Sequence, residues 1–286
     1  MMSKRVLTAC LLLPQLVLAG VLVYGLIHSV LQSLGWIPAL RLTEFTLHYY
    51  IETFSDPNFL GSILFSLKMS VISAALAVII ALLICYWLLE HMAYDQRAMR
   101  WFQIPIVIPH LIVALFVLLL FTNTGLIARF WLAIGSQSLA GSMVNWVYQD
   151  NAIGIILAYL WKEIPFVVFF CYPLLKDATL RYQPVALTLG ATQWQTFWRV
   201  TLPNALPTIL SSFFIIFAYA MGAYELPKLL GPTLPKSLPE LAYVAYTHPD
   251  LRHRPYAMVI NVIMALIGIV CVGGYLLSMQ KEEAHS

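Results

Sequence analysis

Long apolar runs alternate with shorter polar connections along the whole chain, and this alternation predicts six helices long enough to cross a membrane. The runs fall at about residues 6–31, 59–89, 101–121, 152–175, 206–226 and 256–278. The first follows Lys4 and Arg5 as a signal peptide would, but it is too long and lacks a small-x-small cleavage site, so it reads as a retained helix ended by Gly35–Trp36–Ile37–Pro38. The second exceeds what a bilayer requires, which predicts a tilted or projecting helix with Lys68 snorkelling towards the headgroups. Pro105 and Pro109 fall in the first turns of the third, and Lys162, Glu163 and Pro165 interrupt the fourth.

The polar stretch from Lys176 to Pro207 is not a simple spacer. Gly190 follows an apolar turn (Val185, Ala186, Leu189), where a glycine ends a helix at positive φ without a Cβ penalty. Thr192 and Gln195 have the spacing of a capping box, which predicts a second short helix carrying Trp194, Phe197, Trp198 and Val200 and ended by Pro203 and Pro207. Together they predict a rigid helix–turn–helix knob on the membrane surface, suited to docking rather than to catalysis.

Composition fixes the class as an all-α, polytopic membrane protein. Hydrophobic residues make up 61% of the chain and charged residues 10%, against roughly 25% charged in an average soluble domain. Cys10, Cys85, Cys171 and Cys271 lie far apart inside apolar segments, so neither a disulfide framework nor a metal cluster follows. The histidines show no i, i+4 pair on a helix, which argues against metal catalysis. A formal charge of +3 is too small to suggest nucleic acid. The basic residues speak instead to orientation. Lys4, Arg5, Arg97, Arg100, Lys176, Arg181, Arg199 and Lys281 on one side outnumber Arg41, Arg129, Lys228, Lys236, Arg252 and Arg254 on the other, placing both termini and the knob in the cytoplasm.

From Val185 to Pro207 the chain resembles the signature of the integral membrane subunits of binding-protein-dependent, type I ABC importers: E-A-A, three residues, G, nine residues, I, one residue, L-P. Ala186 matches the last alanine, Gly190 the glycine, Val200 the branched aliphatic position and Leu202–Pro203 the final pair. Pro184 and Val185 depart from the glutamate and the first alanine. Trp161–Lys162–Glu163–Ile164–Pro165–Phe166 looks like a fourth-helix segment of these permeases. The run from Gly222 to Pro227, with Leu229–Leu230–Gly231 and Leu238–Pro239–Glu240–Leu241, is similar to the branch importing polyamines, ferric iron, thiamine and phosphonates.

The resemblance implies a single permease domain of six spans in the bacterial inner membrane, with a short cytoplasmic coupling helix between helices 4 and 5 in a loop at 176–205. It implies a periplasmic binding protein that delivers a small polar solute, a second permease subunit, most often a different chain, and a cytoplasmic ABC ATPase dimer that uses ATP and Mg. This chain has no phosphate-binding loop of its own and binds no cofactor on this reading. Gly190 would shape the knob; Leu189, Ala191, Trp194 and Phe197 would form its contact face. The competing reading is an amphipathic connector lying on membrane lipid.

Lys162 and Glu163 lie about ten residues into the fourth span, where a charge costs about 2.5–3.5 kcal/mol on insertion scales. Neighbours on a helix point about 100° apart and do not neutralise each other face to face. They either line the pathway or tie helices together. Glu225, beside Gly222 and Tyr224, either meets a cationic substrate near an outer gate or is an ordinary helix-end acid at the water boundary. The connection Pro227–Pro255 either docks a binding protein or is a solvated loop. A secondary transporter or channel working without an ATPase is the alternative function. An enzyme is disfavoured, because Ser66 and Lys68 at i, i+2 do not face each other.

Overall fold

A computed structural model describes residues 4–91, 96–142 and 146–283; His285 lies outside them. The described chain is helical, with one isolated antiparallel bridge between Ile37 and Leu42. Helix α1 spans Lys4–Ser33, α2 His48–Ser55, α3 Pro57–His91, α4 Gln96–Val107, α5 His110–Phe121, α6 Leu126–Ala133 and α7 Gln137–Ser142. Helix α8 spans Ile153–Thr188, α9 Gln193–Thr196, α10 Leu202–Gly222, α11 Glu225–Leu230, α12 Leu238–Tyr246 and α13 Arg254–Glu283. Among the described residues six stretches are long and apolar enough to cross a membrane: Leu12–Ser33, Pro57–His91, His110–Ala133, Ile153–Thr188, Gln193–Gly222 and Leu251–Gly273.

The chain divides into two compact units, one of residues up to Leu60 with Leu241–Ile267, the other of Gly61–Glu240 with the residues from Gly268 on. In the first, α1 ends where Gly35 takes φ +86° and the Trp36 amide reaches back to the Leu31 carbonyl (3.0 Å), a glycine-terminated helix end. The Ser33 hydroxyl pairs with that of Tyr50 on α2 (2.8 Å), and Tyr49 meets Tyr256 edge to face. The outward side chains of α1, such as Leu16 and Leu22, are almost all apolar and exposed, which suits lipid rather than water.

The second unit holds four of the long helices. On α3, Ser62, Ser66, Ser70 and Ser73 form a buried small-residue face, and the Ser66 hydroxyl accepts the Leu238 amide at 2.8 Å. Tyr159 and Ile155 of α8 lie with Met69 of α3, Val113 and Val117 of α5 and Leu226 and Leu230 of α11 in one apolar core. Glu240, buried, receives both Lys228 (3.1 Å) and Lys236 (3.2 Å) and so fastens the segment between α11 and α12.

Three expected boundaries move. The third apolar run is not one helix from Trp101, because Pro109, extended at ψ 143°, separates α4 from α5. A proline disfavours helical geometry in the residue before it, here Ile108. Helix α8 does not stop near Leu175. It continues as α-helix to Thr188, through Pro165, Pro173 and Pro184, so Lys176, Asp177 and Arg181 decorate a helix rather than a loop. Pro203 and Pro207 do not end the coupling helix either. The chain passes from α9 through a π-helical stretch, Phe197–Thr201, directly into α10, and Pro203 sits in the first turn, where a missing N–H is harmless.

Candidate functional site

The turn between α8 and α10 is built entirely from local chemistry. Past the C-cap Leu189, Gly190 takes φ +85°; its amide donates to the Leu187 carbonyl (3.0 Å) and that of Ala191 to the Ala186 carbonyl (3.1 Å). These are the paired bonds of a Schellman motif. A Cβ on Gly190 would touch nothing within 4 Å, so the dihedral, not space, demands glycine. Two residues on, the Thr192 hydroxyl accepts the Gln195 amide (3.2 Å) and the Gln195 side chain accepts the Thr192 amide (3.0 Å). The capping box thus forms as its spacing predicts.

This geometry sorts the expected contact face. Leu189 is 83% exposed and Trp194 48%, with Val185 and Trp198 also outward. Ala191 and Val200 are half-buried, Leu202 likewise, and Pro203 is exposed. Phe197 is the exception. It is buried at 3% exposure, because the π-helical stretch turns it inward against the Tyr86 ring of α3 at 5.1 Å between centroids. Tyr86 also meets Trp194 edge to face at 5.0 Å, and its hydroxyl bonds Glu90. The Thr179 and Thr201 hydroxyls, both buried, join α8 to the π-helical stretch at 3.2 Å. Tyr86 therefore clamps the knob from a third helix, a role that nothing near it in sequence signals.

Higher on α8 a cleft of about 210 Å³ is lined by Ile106, His110, Lys162, Glu163, Phe166, Ile215, Ile216 and Tyr219. Lys162 Nζ crosses to the Ile108 carbonyl at 2.5 Å, at the break between α4 and α5. The tie is needed because the Ile112 amide, the usual partner of that carbonyl, bonds Pro109 instead (3.1 Å). Both Glu163 oxygens are sealed and lack a hydrogen-bond partner among the described residues; the nearby Ser73 hydroxyl is turned to the Ser70 carbonyl (3.2 Å). The accessible polar groups are therefore Lys162, His110 and the Tyr219 hydroxyl, with the His110 and Tyr219 rings 4.8 Å apart. His110 and Tyr219 escape a search for charged interruptions, although a histidine directly after a helix-breaking proline is a usable signal. Gly222, Tyr224 and Glu225 lie at the α10–α11 junction and do not line the cleft; Glu225 is exposed in the first turn of α11.

The described chain thus combines six apolar helices long enough to cross a membrane, a largely apolar cleft with Lys162, His110 and Tyr219 in its lining, and a rigid turn at the end of α8. The profile of the family described as "Binding-protein-dependent transport system inner membrane component" matches residues 77–277, and the chain belongs to that family. It is 26% identical over 230 residues to the sulfate transport system permease protein CysW of Synechocystis sp., covering 77% of this chain and 78% of that one. To CysT of Escherichia coli it is 25% identical over 187 residues, 65% and 64% of the two chains. A crystal structure of a bacterial ABC transporter that imports the acidic polysaccharide alginate superimposes with a TM-score of 0.79 at 19% identity, over 97% of this chain and 96% of that one. The relatives named are sulfate permeases. The expected placement in the polyamine, iron, thiamine and phosphonate branch gives way to the family as a whole. The chain is thus a permease subunit of an ATP-driven importer, and ATP hydrolysis belongs to a separate subunit.

Proposed function

We propose that the α8–α9 turn, with Leu189, Gly190, Ala191 and Trp194 at its tip, is where a cytoplasmic ABC ATPase docks, and that the cleft at Lys162 belongs to this chain's half of the solute passage. The observation that carries the reading is the turn itself. A Schellman end and a capping box, back to back, hold large apolar side chains rigidly in the open at the tip of a 36-residue helix. Exposed apolar groups on a fixed scaffold suit a partner protein.

On this reading both termini are cytoplasmic, and Mg and ATP are bound by the partner dimer. A second, different permease chain completes the passage, and a binding protein delivers solute from the periplasm. ATP binding draws the two docked turns together and swings the helices between inward-open and outward-open states. The cleft surface is largely apolar, and the polar side chains in its lining other than the sealed acid, Lys162, His110 and Tyr219, are all able to donate hydrogen bonds. That suits a small oxyanion, the solute class for which the CysW and CysT relatives are named.

The test is Gly190→Asp. An aspartate tolerates the left-handed backbone better than most side chains, so its main effect is to set a charge among the apolar side chains of the turn. Membrane insertion should be normal while the ATPase no longer copurifies and uptake is lost. Normal ATP-coupled uptake by this variant would overturn the docking assignment. Binding of candidate anions by the cognate periplasmic protein tests the solute.

A further inference from the structure

A second pocket, of about 320 Å³, lies at the far end of α5, lined by Leu118, Leu119, Thr122, Thr124, Gly125, Leu126, Arg129 and Tyr148. One wall is leucine, and Leu119 and Leu126 remain 62% and 60% exposed. At the other end are an arginine, two threonines and a tyrosine, with no acid in the lining. Arg129 Nε donates to the Thr124 carbonyl (2.8 Å), which fixes the plane of the guanidinium and leaves its terminal nitrogens without a partner among the described residues. The hydroxyls of Thr122, Thr124 and Tyr148 likewise bond no other described residue.

Tyr148 stands in this pocket at φ +63°, its amide bonded to the Leu230 carbonyl at 2.9 Å. A bulky residue in the left-handed region costs about 1–2 kcal/mol. Such strain collects at sites that bind something.

We infer that this pocket holds the phosphate of an anionic phospholipid. The guanidinium fork matches two phosphate oxygens, and one positive charge balances one phosphodiester. A free dianion would keep an uncompensated charge against the leucine wall. The lipid's acyl ester region instead lies along Leu119 and Leu126, at the end of a helix that belongs to a membrane span. A zwitterionic lipid brings a cation for which the pocket has no acid, so phosphatidylglycerol is favoured over phosphatidylcholine.

The test is native mass spectrometry of the detergent-purified importer, with phosphatidylglycerol, phosphatidylcholine or inorganic sulfate added. The wild type should retain phosphatidylglycerol in preference to phosphatidylcholine, and Arg129→Gln should weaken that retention about tenfold. Tyr148→Phe leaves the backbone as it is and should weaken it about threefold. Equal retention of both lipids, or unchanged phosphatidylglycerol binding in Arg129→Gln, overturns the site. Displacement of the lipid by millimolar sulfate identifies a soluble oxyanion as the occupant and overturns the lipid assignment.

Discussion

Replacing Lys162 by methionine sets two effects of similar size against each other. The Ile108 carbonyl has no backbone donor from the following turn, so the Lys162 ammonium satisfies it across helices. A hydrogen bond to a charged group contributes about 1.5–3 kcal/mol, and methionine removes it. A lysine within a span costs about 2.5–3.5 kcal/mol on insertion scales, and methionine removes that as well. The expected net change therefore runs from about 0.5 kcal/mol of lost stability to about 2 kcal/mol of gain. Transport has no such cancellation. Once α4 and α5 lose their tie to α8, the break at Pro109 is free to take other geometries, and about 1.4 kcal/mol of lost preference lowers the ratio of competent to other geometries about tenfold. Stability is read by unfolding in mixed micelles and transport by uptake into liposomes carrying the whole importer. Lys162→Arg, which keeps a charged donor, should retain most uptake. Wild-type uptake by Lys162→Met would refute the tie's role, and a stability loss above about 3 kcal/mol would refute the cancellation.

The remaining expectations concern the Tyr86 clamp and the segment between α11 and α12. Tyr86→Ala removes two aromatic contacts worth about 0.5–1.5 kcal/mol each and should lower uptake per ATP hydrolysed, whereas Tyr86→Phe keeps both rings and should stay close to wild type; equal coupling ratios in the two variants would count against the clamp. Glu240→Gln leaves Lys228 and Lys236 without their shared carboxylate. Since Lys228 is half exposed, the cost should be about 1–3 kcal/mol, below that of a fully buried pair. It should appear as faster hydrogen exchange between Gly231 and Glu240, and unchanged exchange there would show that the pair does not fasten the segment.

What could be read from the sequence was what depends on near neighbours. Gly190 and the Thr192–Gln195 pair specify their turn within six residues, and the positive φ and the reciprocal cap follow from local rules alone. The run of apolar residues gave six spans for the same reason. The extent of α8 was hidden because Lys176, Asp177 and Arg181 look like loop composition; Asp177 and Arg181 in fact pair along the helix surface at 3.4 Å. Prolines are ambiguous in one dimension. Pro203 lies harmlessly in the first turn of α10, while Pro109 breaks a run that hydropathy alone would leave whole. Lys162 and Glu163 were visible as anomalies, but their fates rest on residues far away, the Ile108 carbonyl for one and a sealed site beside Ser73 for the other. The inward turn of Phe197 depends on π-helical geometry and on Tyr86, more than a hundred residues earlier, and no local pattern encodes it.

The uninterrupted course of α8 makes it a crank. From Lys162 to Thr188 the helix covers about 40 Å at 1.5 Å per residue, so the cleft at Lys162 and the α8–α9 turn share one shaft. A tilt of about 10° about the cleft end would carry the tip through about 7 Å. The gearing works in both directions. A large stroke at the turn becomes a fine adjustment beside the cleft, and a small displacement there is magnified at the far end. Pro165, Pro173 and Pro184 each delete one rung of the helix's hydrogen-bond ladder. They give the shaft three places to flex, which limit how much of each stroke arrives.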